Sequence, residues 1–331
     1  MSEDGRAALE VLATGPLALL QDLGRPGFAH LGVTASGAAD RGAFTAANRL
    51  VGNPAHAAAI ETVFGGLEVR ALRAMLVAVT GAAASVFHVR PGRAPVEQPS
   101  GCSLALLAGD RVLLGPPTTG LRNYLAVRGG IGVDAVLGSR STDILSGLGP
   151  RPLVPGARLP LADEPDSARA SGARLLLPHD PEAAGDHPTM AGWPEATVIP
   201  PALPGEGPAV LQVTRGPRDD WFGASGWSTL LATTWTVGAD SNRVGIRLET
   251  ATTATTSTAA ISWLDDAREL PSEGMVAGAV QVPPSGQPVV FHRDHPVTGG
   301  YPVIGVLTEA AVDRAAQLRP GDMMRFRELF G

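Results

Sequence analysis

Glycine and proline punctuate the stretch from Ile60 to Val133 so closely that no long amphipathic helix fits there. What remains between the breaks is a series of short runs: Glu61 to Phe64, Leu67 to Arg70, Met75 to Thr80, Ser85 to Val89, Ser103 to Leu107, Arg111 to Leu114 and Asn123 to Val127. Seven short strands at close spacing predict a β-barrel or a β-sandwich. The whole chain carries 41 Gly and 29 Pro in 331 residues, so the same logic extends beyond this stretch, and the length suits two domains. His88 falls inside one of these runs with no second ligand at metal spacing, which reads as a packed histidine.

The second constraint is chemical. All 26 basic residues are arginine; there is no lysine. That excludes a Walker-A phosphate loop, a Schiff-base lysine and a lysine carrying biotin. Arginine is a poor base, so its roles are binding and charge stabilisation. No G-x-S-x-G elbow or HExxH motif occurs, and no metal site is expected. The net charge of −6 gives no electrostatic reason for a nucleic acid or anionic membrane partner. Cys102 is the one cysteine, which excludes an internal disulfide and suits a reducing compartment. With no leader and no apolar run of membrane-spanning length, the expected location is cytoplasmic.

Along the chain, residues 9 to 20 read as a hairpin around a Thr-Gly-Pro turn. A long loop follows between Gly24 and Gly37, and Asp22, Arg25 and Asp40 are equally readable as internal ties or ligand contacts. A helix starts near Asp40, with Phe44, Ala47 and Val51 on one face, and ends at Gly52-Asn53-Pro54. Arg140, Ser141 and Asp143 are either pocket-lining groups or turn caps. Residues 162–205 turn rich in Pro, Ala and acids and read as a linker, dividing the chain into domains 1–205 and 206–331. The second opens with a strand from Val210 to Thr214, then two acids, Asp219 and Asp220, suited to the first turn of a helix.

Two later segments carry the candidate site. In Asn242 to Glu249, strict alternation predicts that Val244, Ile246 and Leu248 face the core, while Arg243 and Arg247 share the opposite face about 13 Å apart. From Ser272 to Pro302 the reading is strand (Ala279 to Val282), a Pro-Pro-Ser-Gly turn, strand (Pro288 to His292), then a loop from Arg293 to Tyr301. Gly299 and Gly300 allow positive φ and close backbone approach, which reads either as a tight loop with no ligand or as amides converging on an anion or carbonyl oxygen. A weaker signal is an echo: Gly109-Asp110 precedes one strand as Gly321-Asp322 precedes another, which, Gly-Asp turns being common, only weakly supports two similar β domains.

Ser272-Glu273-Gly274, Gln281-Val282-Pro283-Pro284, Gly286-Gln287-Pro288, Asp294 and Thr298 to Pro302 form an ordered signature. With it stand Gln21 to Gly27, Leu31 to Asp40 (including Ser36), Leu137 to Asp143 and Ser241 to Leu248. Together these closely resemble the allophanate hydrolase subunit 2 family, also called the biotin-dependent carboxyltransferase or KipA-like family, which includes the C-type subunit of 5-oxoprolinase. The chain departs from the pattern at His295-Pro296-Val297, where many members carry a more polar Arg-Gln-Thr.

The resemblance implies a mainly β fold of two cyclophilin-like β-barrel domains with a few short helices. It implies an enzyme subunit that acts with a smaller partner, the B-type subunit of 5-oxoprolinase or a KipI-like protein, and with the A-type subunit of 5-oxoprolinase as a third component. The reaction would be ATP-dependent opening of 5-oxoproline to glutamate, with ATP used at the level of the complex. Alternatives are a KipA-like regulatory protein, or a carboxyltransferase acting on urea with a separate biotin carrier. Candidate acid–base residues are Glu273 and Asp294; Asn242, Arg243, Arg247, Gln281, Thr298, Gly299, Gly300 and Tyr301 are the substrate-binding candidates. Asp22, Arg25, Ser36, Asp40 and Arg140 are candidate contacts from the first domain.

Overall fold

The computed structural model describes residues 7–162, 207–250, 260–265 and 268–329. The linker read at 162–205 therefore lies, but for its first residue, outside the described residues. The chain is mainly β, with three α-helices among the described residues.

The first half runs β1 (Ala7–Thr14), β2 (Leu17–Gln21), α1 (Arg41–Leu50), β3 (Ala59–Val63), β4 (Leu67–Ala71), β5 (Met75–Ala83), β6 (Val86–Val89), β7 (Val96–Gln98), β8 (Ser103–Leu106), β9 (Arg111–Leu114), β10 (Thr119–Val127) and β11 (Arg158–Pro160). All seven predicted strands between Ile60 and Val133 are present, most with ends shifted by one to four residues. They form two sheets, one ordered β11-β1-β4-β9-β6-β7 and the other β2-β3-β10-β5-β8. Leu9, Leu67, Val69 and Val112 from one sheet meet Leu20, Ile60, Val77 and Leu125 from the other in a single apolar cluster. Of the two arrangements the spacing allows, this half adopts stacked sheets, so of the two barrel domains the resemblance implies, the described residues form one closed barrel, in the second half.

The predicted hairpin at 9 to 20 is a correction. β1 and β2 belong to different sheets: β1 pairs with β4 and β11, and β2 pairs with β3. The Gly15 turn carries the chain from one sheet to the other. It packs against the corner at Gly65, where β3 passes into β4: a Cβ on Gly15 would lie 1.9 Å from the Gly65 carbonyl oxygen.

Central position gives β10 its composition. Leu125 and Val127 enter the inter-sheet core, while Tyr124 and Ala126 face the other way under α1. There Phe44 and Tyr124 meet edge to face at 6.0 Å. Strand β10 is therefore covered on both faces, and its polar residues Arg122 and Asn123 are buried with it.

The second half runs β12 (Ala209–Arg215), α2 (Gly223–Ala232), β13 (Trp235–Val237), β14 (Gly245–Thr250), β15 (Glu273–Gly274), β16 (Ala279–Gln281), β17 (Val289–Phe291), β18 (Thr298–Gly299), β19 (Val303–Leu307), α3 (Glu309–Ala315) and β20 (Met323–Glu328). A closed barrel of order β12-β19-β16-β17-β14-β13-β20 is completed by parallel pairing of β12 with β20. Leu211, Trp235, Leu248, Val280, Val290 and Phe326 are among the residues that fill it. Acids 219 and 220 stand in a short 3-10 turn before α2. Strands β15 and β18 pair with each other outside the barrel.

Candidate functional site

The segment that links everything is the turn after β17. Asp294 is fully buried, and its backbone N–H donates to the Arg243 carbonyl at 3.0 Å. Its carboxylate accepts from Arg243 Nε (3.0 Å) and Nη2 (3.1 Å), from Ser36 Oγ (2.7 Å) and from the Ile144 amide (3.3 Å). The last two donors belong to the first half. Asp294 thus joins the halves, and its lone pairs are taken by protein donors.

Arg243 reaches across as well. Its Nη1 donates to Glu61 of β3, and Nη2 donates to the Gly37 carbonyl at 2.6 Å. Glu61 is 1% exposed and accepts in addition from the Ala39 amide (2.9 Å) and the Tyr124 hydroxyl (2.8 Å). Arg122 stands 3.7 Å away. Burial opposes ionisation of Glu61, but the guanidiniums of Arg243 and Arg122 outweigh it and hold the carboxyl below its usual range. Burial likewise opposes the charge on Arg243; Asp294 and Glu61 reverse the balance and raise its pKa. Tyr124, buried beside Glu61 and Asp40, is pushed up and stays a phenol.

The alternation that placed Arg243 and Arg247 on one face, read through the resemblance as a ligand face, is half right. Ile246 and Leu248 are buried, and Arg247 and Glu249 are exposed. However, β14 begins only at Gly245, so Arg243 lies before the strand, turns inward and is 1% exposed. Asn242 shapes that turn, its Oδ1 accepting from the Val244 amide at 2.7 Å and the Gly245 amide at 3.3 Å.

The first-half candidates tie loops together. Asp22 accepts from Ser139 and Ser141 hydroxyls (each 2.6 Å) and from the Gly24 and Arg140 amides (2.7 and 2.6 Å). Arg25, 1% exposed, donates to the carbonyls of Ser141 and Val136. Arg140 is half-buried, its Nε donating to Val133 O at 2.7 Å. Ser36 sits at φ 52°, a strained setting for serine, with its hydroxyl on Asp294. Asp40 caps α1: its Oδ1 accepts from the Ala43 amide at 2.8 Å and its Oδ2 from Gln317 Nε2 at 2.8 Å. His88 pairs with Asp110 at 2.9 Å, as befits a packed histidine.

A second group gathers at the outer side of the Asp294 turn. Glu273, in β15, pairs in register with Gly299 of β18 and receives Arg218 through two guanidinium nitrogens. Gln281 Nε2 donates to the Tyr301 carbonyl at 2.8 Å, and Met275 N donates to Val297 O at 2.9 Å. Glu273, Gln281, Thr298, Gly299 and Tyr301 are thereby assembled. Of the two uses the glycine pair allows, positive φ is not taken up at either residue. Glycine serves close packing at Gly299, where a Cβ would lie 2.8 Å from Gln281 Nε2 and 2.9 Å from Met275 Sδ. Gly300 faces open space, and Tyr301 is 47% exposed. Of the two carboxylates, Glu273 is the one a ligand can reach.

Sequence reasoning missed Glu61, Tyr124, Arg122, His292 and Gln317. The one local signal is an acid at the centre of an otherwise uncharged strand, Ala59-Ile60-Glu61-Thr62-Val63, since an acid is rarely buried unless paired. His292 is fully buried, and burial together with Arg122, Arg293 and Arg243 holds its pKa well down, so the ring is neutral. Its Nδ1 accepts from the Arg293 amide at 2.9 Å. His295, at the position where the chain departs from the signature, is 7% exposed, and its Nδ1 donates to the Pro296 carbonyl at 2.8 Å.

Against known proteins, the chain is 35% identical over 322 residues to the C-type subunit of 5-oxoprolinase from Escherichia coli K12, covering 96% of this chain and 90% of that one. It is 30% identical to urea amidolyase of Lachancea kluyveri, covering 96% of this chain but 17% of that enzyme. Among solved structures, the urea carboxylase of Kluyveromyces lactis matches with a TM-score of 0.78 at 28% identity, over 98% of this chain and 28% of that one. Another solved structure matches with a TM-score of 0.75 at 29% identity, and the chain spans 55% of it. A model of the carboxyltransferase domain, subdomains A and B, matches residues 31–328, and the chain belongs to that family.

Proposed function

We propose that this chain is the C-type subunit of an ATP-dependent 5-oxoprolinase, a complex that opens 5-oxoproline to L-glutamate. The observation that carries the reading is the extent of the match to the Escherichia coli protein: 96% of this chain and 90% of that one. The site would be the outer group around β15 and β18, completed by a smaller partner protein. Arg247 is exposed, and its guanidinium has no side-chain partner among the described residues, which leaves it available to a ligand carboxylate or phosphoryl group. Gly300 and Tyr301 lie open beside the Glu273–Arg218 pair, where backbone donors suit a developing oxyanion and Glu273 a proton transfer. ATP would be consumed by the complex; no contact of ATP with this chain is implied.

The test is co-expression with the smaller and the third subunits, followed by assay of ATP-dependent glutamate release. Arg247→Ala is expected to abolish release while the purified complex keeps its thermal unfolding midpoint. Full activity in that variant removes Arg247 from the site. A second reading, a carboxyltransferase acting on urea, is favoured by the match to urea carboxylase at a TM-score of 0.78. With no lysine, this chain would need a separate biotinylated carrier. A stable complex without glutamate release, but with carboxyl transfer from such a carrier to urea, would select it.

A further inference from the structure

We infer that Glu61 and Arg243 are positioning residues: through Asp294 they hold the 294–301 loop of the second half in register with the first half, and Arg243 does not touch the substrate. The inference deepens the proposed site and rests on it only for the activity readout. Four guanidinium hydrogen bonds of Arg243 end on protein oxygens, two on Asp294, one on Glu61 and one on the Gly37 carbonyl, and the residue is 1% exposed. A ligand anion would have to displace a carboxylate to reach it. The planar fork of arginine can serve three acceptors at fixed angles, which a lysine ammonium cannot reproduce.

The consequences run outward along the backbone. Asp294 is fixed at its amide by the Arg243 carbonyl and at its carboxylate by Arg243, Ser36 and Ile144. Three residues on, the Val297 carbonyl accepts from the Met275 amide, and Gly299 then pairs with Glu273. The placement of Gly300 and Tyr301 relative to Glu273 is therefore set at one end by an acid of the first half, 182 residues before Arg243. A shift of about an ångström in catalytic groups is enough to cost about a hundredfold in rate.

The experiment uses the full chain in its complex, with Arg243→Lys and Glu61→Gln. Glu61→Gln keeps the shape and an acceptor for Arg243 and serves as the second variant should the lysine exchange prevent folding. Hydrogen exchange of peptides across 293–301 is expected to speed up about tenfold or more, with β12 and β20 unchanged. With 5-oxoproline as substrate, kcat is expected to fall about a hundredfold with KM altered less than threefold. Unchanged exchange across 293–301, or a loss confined to KM, would make Arg243 a ligand contact and overturn the inference. If the wild-type complex releases no glutamate, the proposed activity fails, and the exchange measurement alone decides the positioning role.

Discussion

Gly299 and Gly300 are neighbours with opposite surroundings, and a methyl group separates their roles. At Gly299 it would press on the Gln281 amide, which is already held to the Tyr301 carbonyl, and on the Met275 sulfur. Gly299→Ala is expected to lower stability by about 1–3 kcal/mol and to loosen the Tyr301 end of the loop. Gly300→Ala meets nothing within 4 Å and is expected to stay within about 0.5 kcal/mol of the parent. Urea denaturation of the two variants checks the pair; equal effects would mean that packing does not distinguish them. The sequence allowed either positive φ or close approach here and did not say which glycine serves which, because the side chains crowding Gly299 come from residues 275 and 281 and no local pattern reveals them.

At the scale of elements, the N-terminus of α1 is where charge is concentrated. Asp40 caps it from within, and Asp313 of α3 accepts from the amides of Arg41 and Gly42, each at 3.0 Å. Burial raises the Asp40 pKa from 3.8 to about 6, helped by Asp313 and Glu61 and opposed by the bonds from Ala43 and Gln317. The folded chain therefore keeps a proton that the unfolded chain releases between pH 3.8 and about 6. Through that window this group subtracts stability as pH rises, reaching about 3 kcal/mol above it. Glu61 works in the opposite sense: with its pKa lowered, its contribution is present above the ordinary carboxylate range and is lost as pH falls. Asp40→Asn should remove the Asp40 slope, so the stability difference between variant and parent should change across pH 4–6 whatever constant offset the altered Gln317 contact adds. A flat difference would place the Asp40 pKa near 3.8. How much could be read beforehand follows from range. The cap at Asp40, the turn that Gly286 closes on Pro283 and the seven strands depend on neighbours a few residues away. The echo held as turn geometry alone: Gly109 and Gly321 have φ of 91° and 90°, and Asp110 and Asp322 each accept from the amide three residues earlier, while the sheets around the two turns differ. The 9–20 hairpin failed because turn residues mark a change of direction without saying whether the strands that follow pair with each other.

For the molecule as a whole, Gln317 shows how the halves are fitted together. It is 1% exposed; its Oε1 accepts from the amides of Leu121 (2.9 Å) and Arg122 (3.0 Å), and its Nε2 donates to Asp40 and to the Arg122 carbonyl. Arg122 in turn donates to the Ala316 carbonyl at the end of α3. Gln317→Ala leaves two buried amides without acceptors and is expected to cost about 2–4 kcal/mol. The expected signature is a lower urea midpoint with an unchanged slope; a loss below about 0.5 kcal/mol would mean that water replaces the side chain. None of these partnerships could be read along the chain, because each joins residues about 200 or more positions apart. The shared joint also gives the protein an order of assembly. During synthesis Glu61 and the α1 terminus leave the ribosome well before Arg243, Asp313 and Gln317 exist. At about 5–20 residues per second, the first half waits on the order of ten seconds or more for the groups that cover its acids. Throughout that interval Glu61 has its first-half partners, the Ala39 amide, the Tyr124 hydroxyl and Arg122, but lacks Arg243, and the nascent chain presents an open, charged face that closes only when the second half arrives.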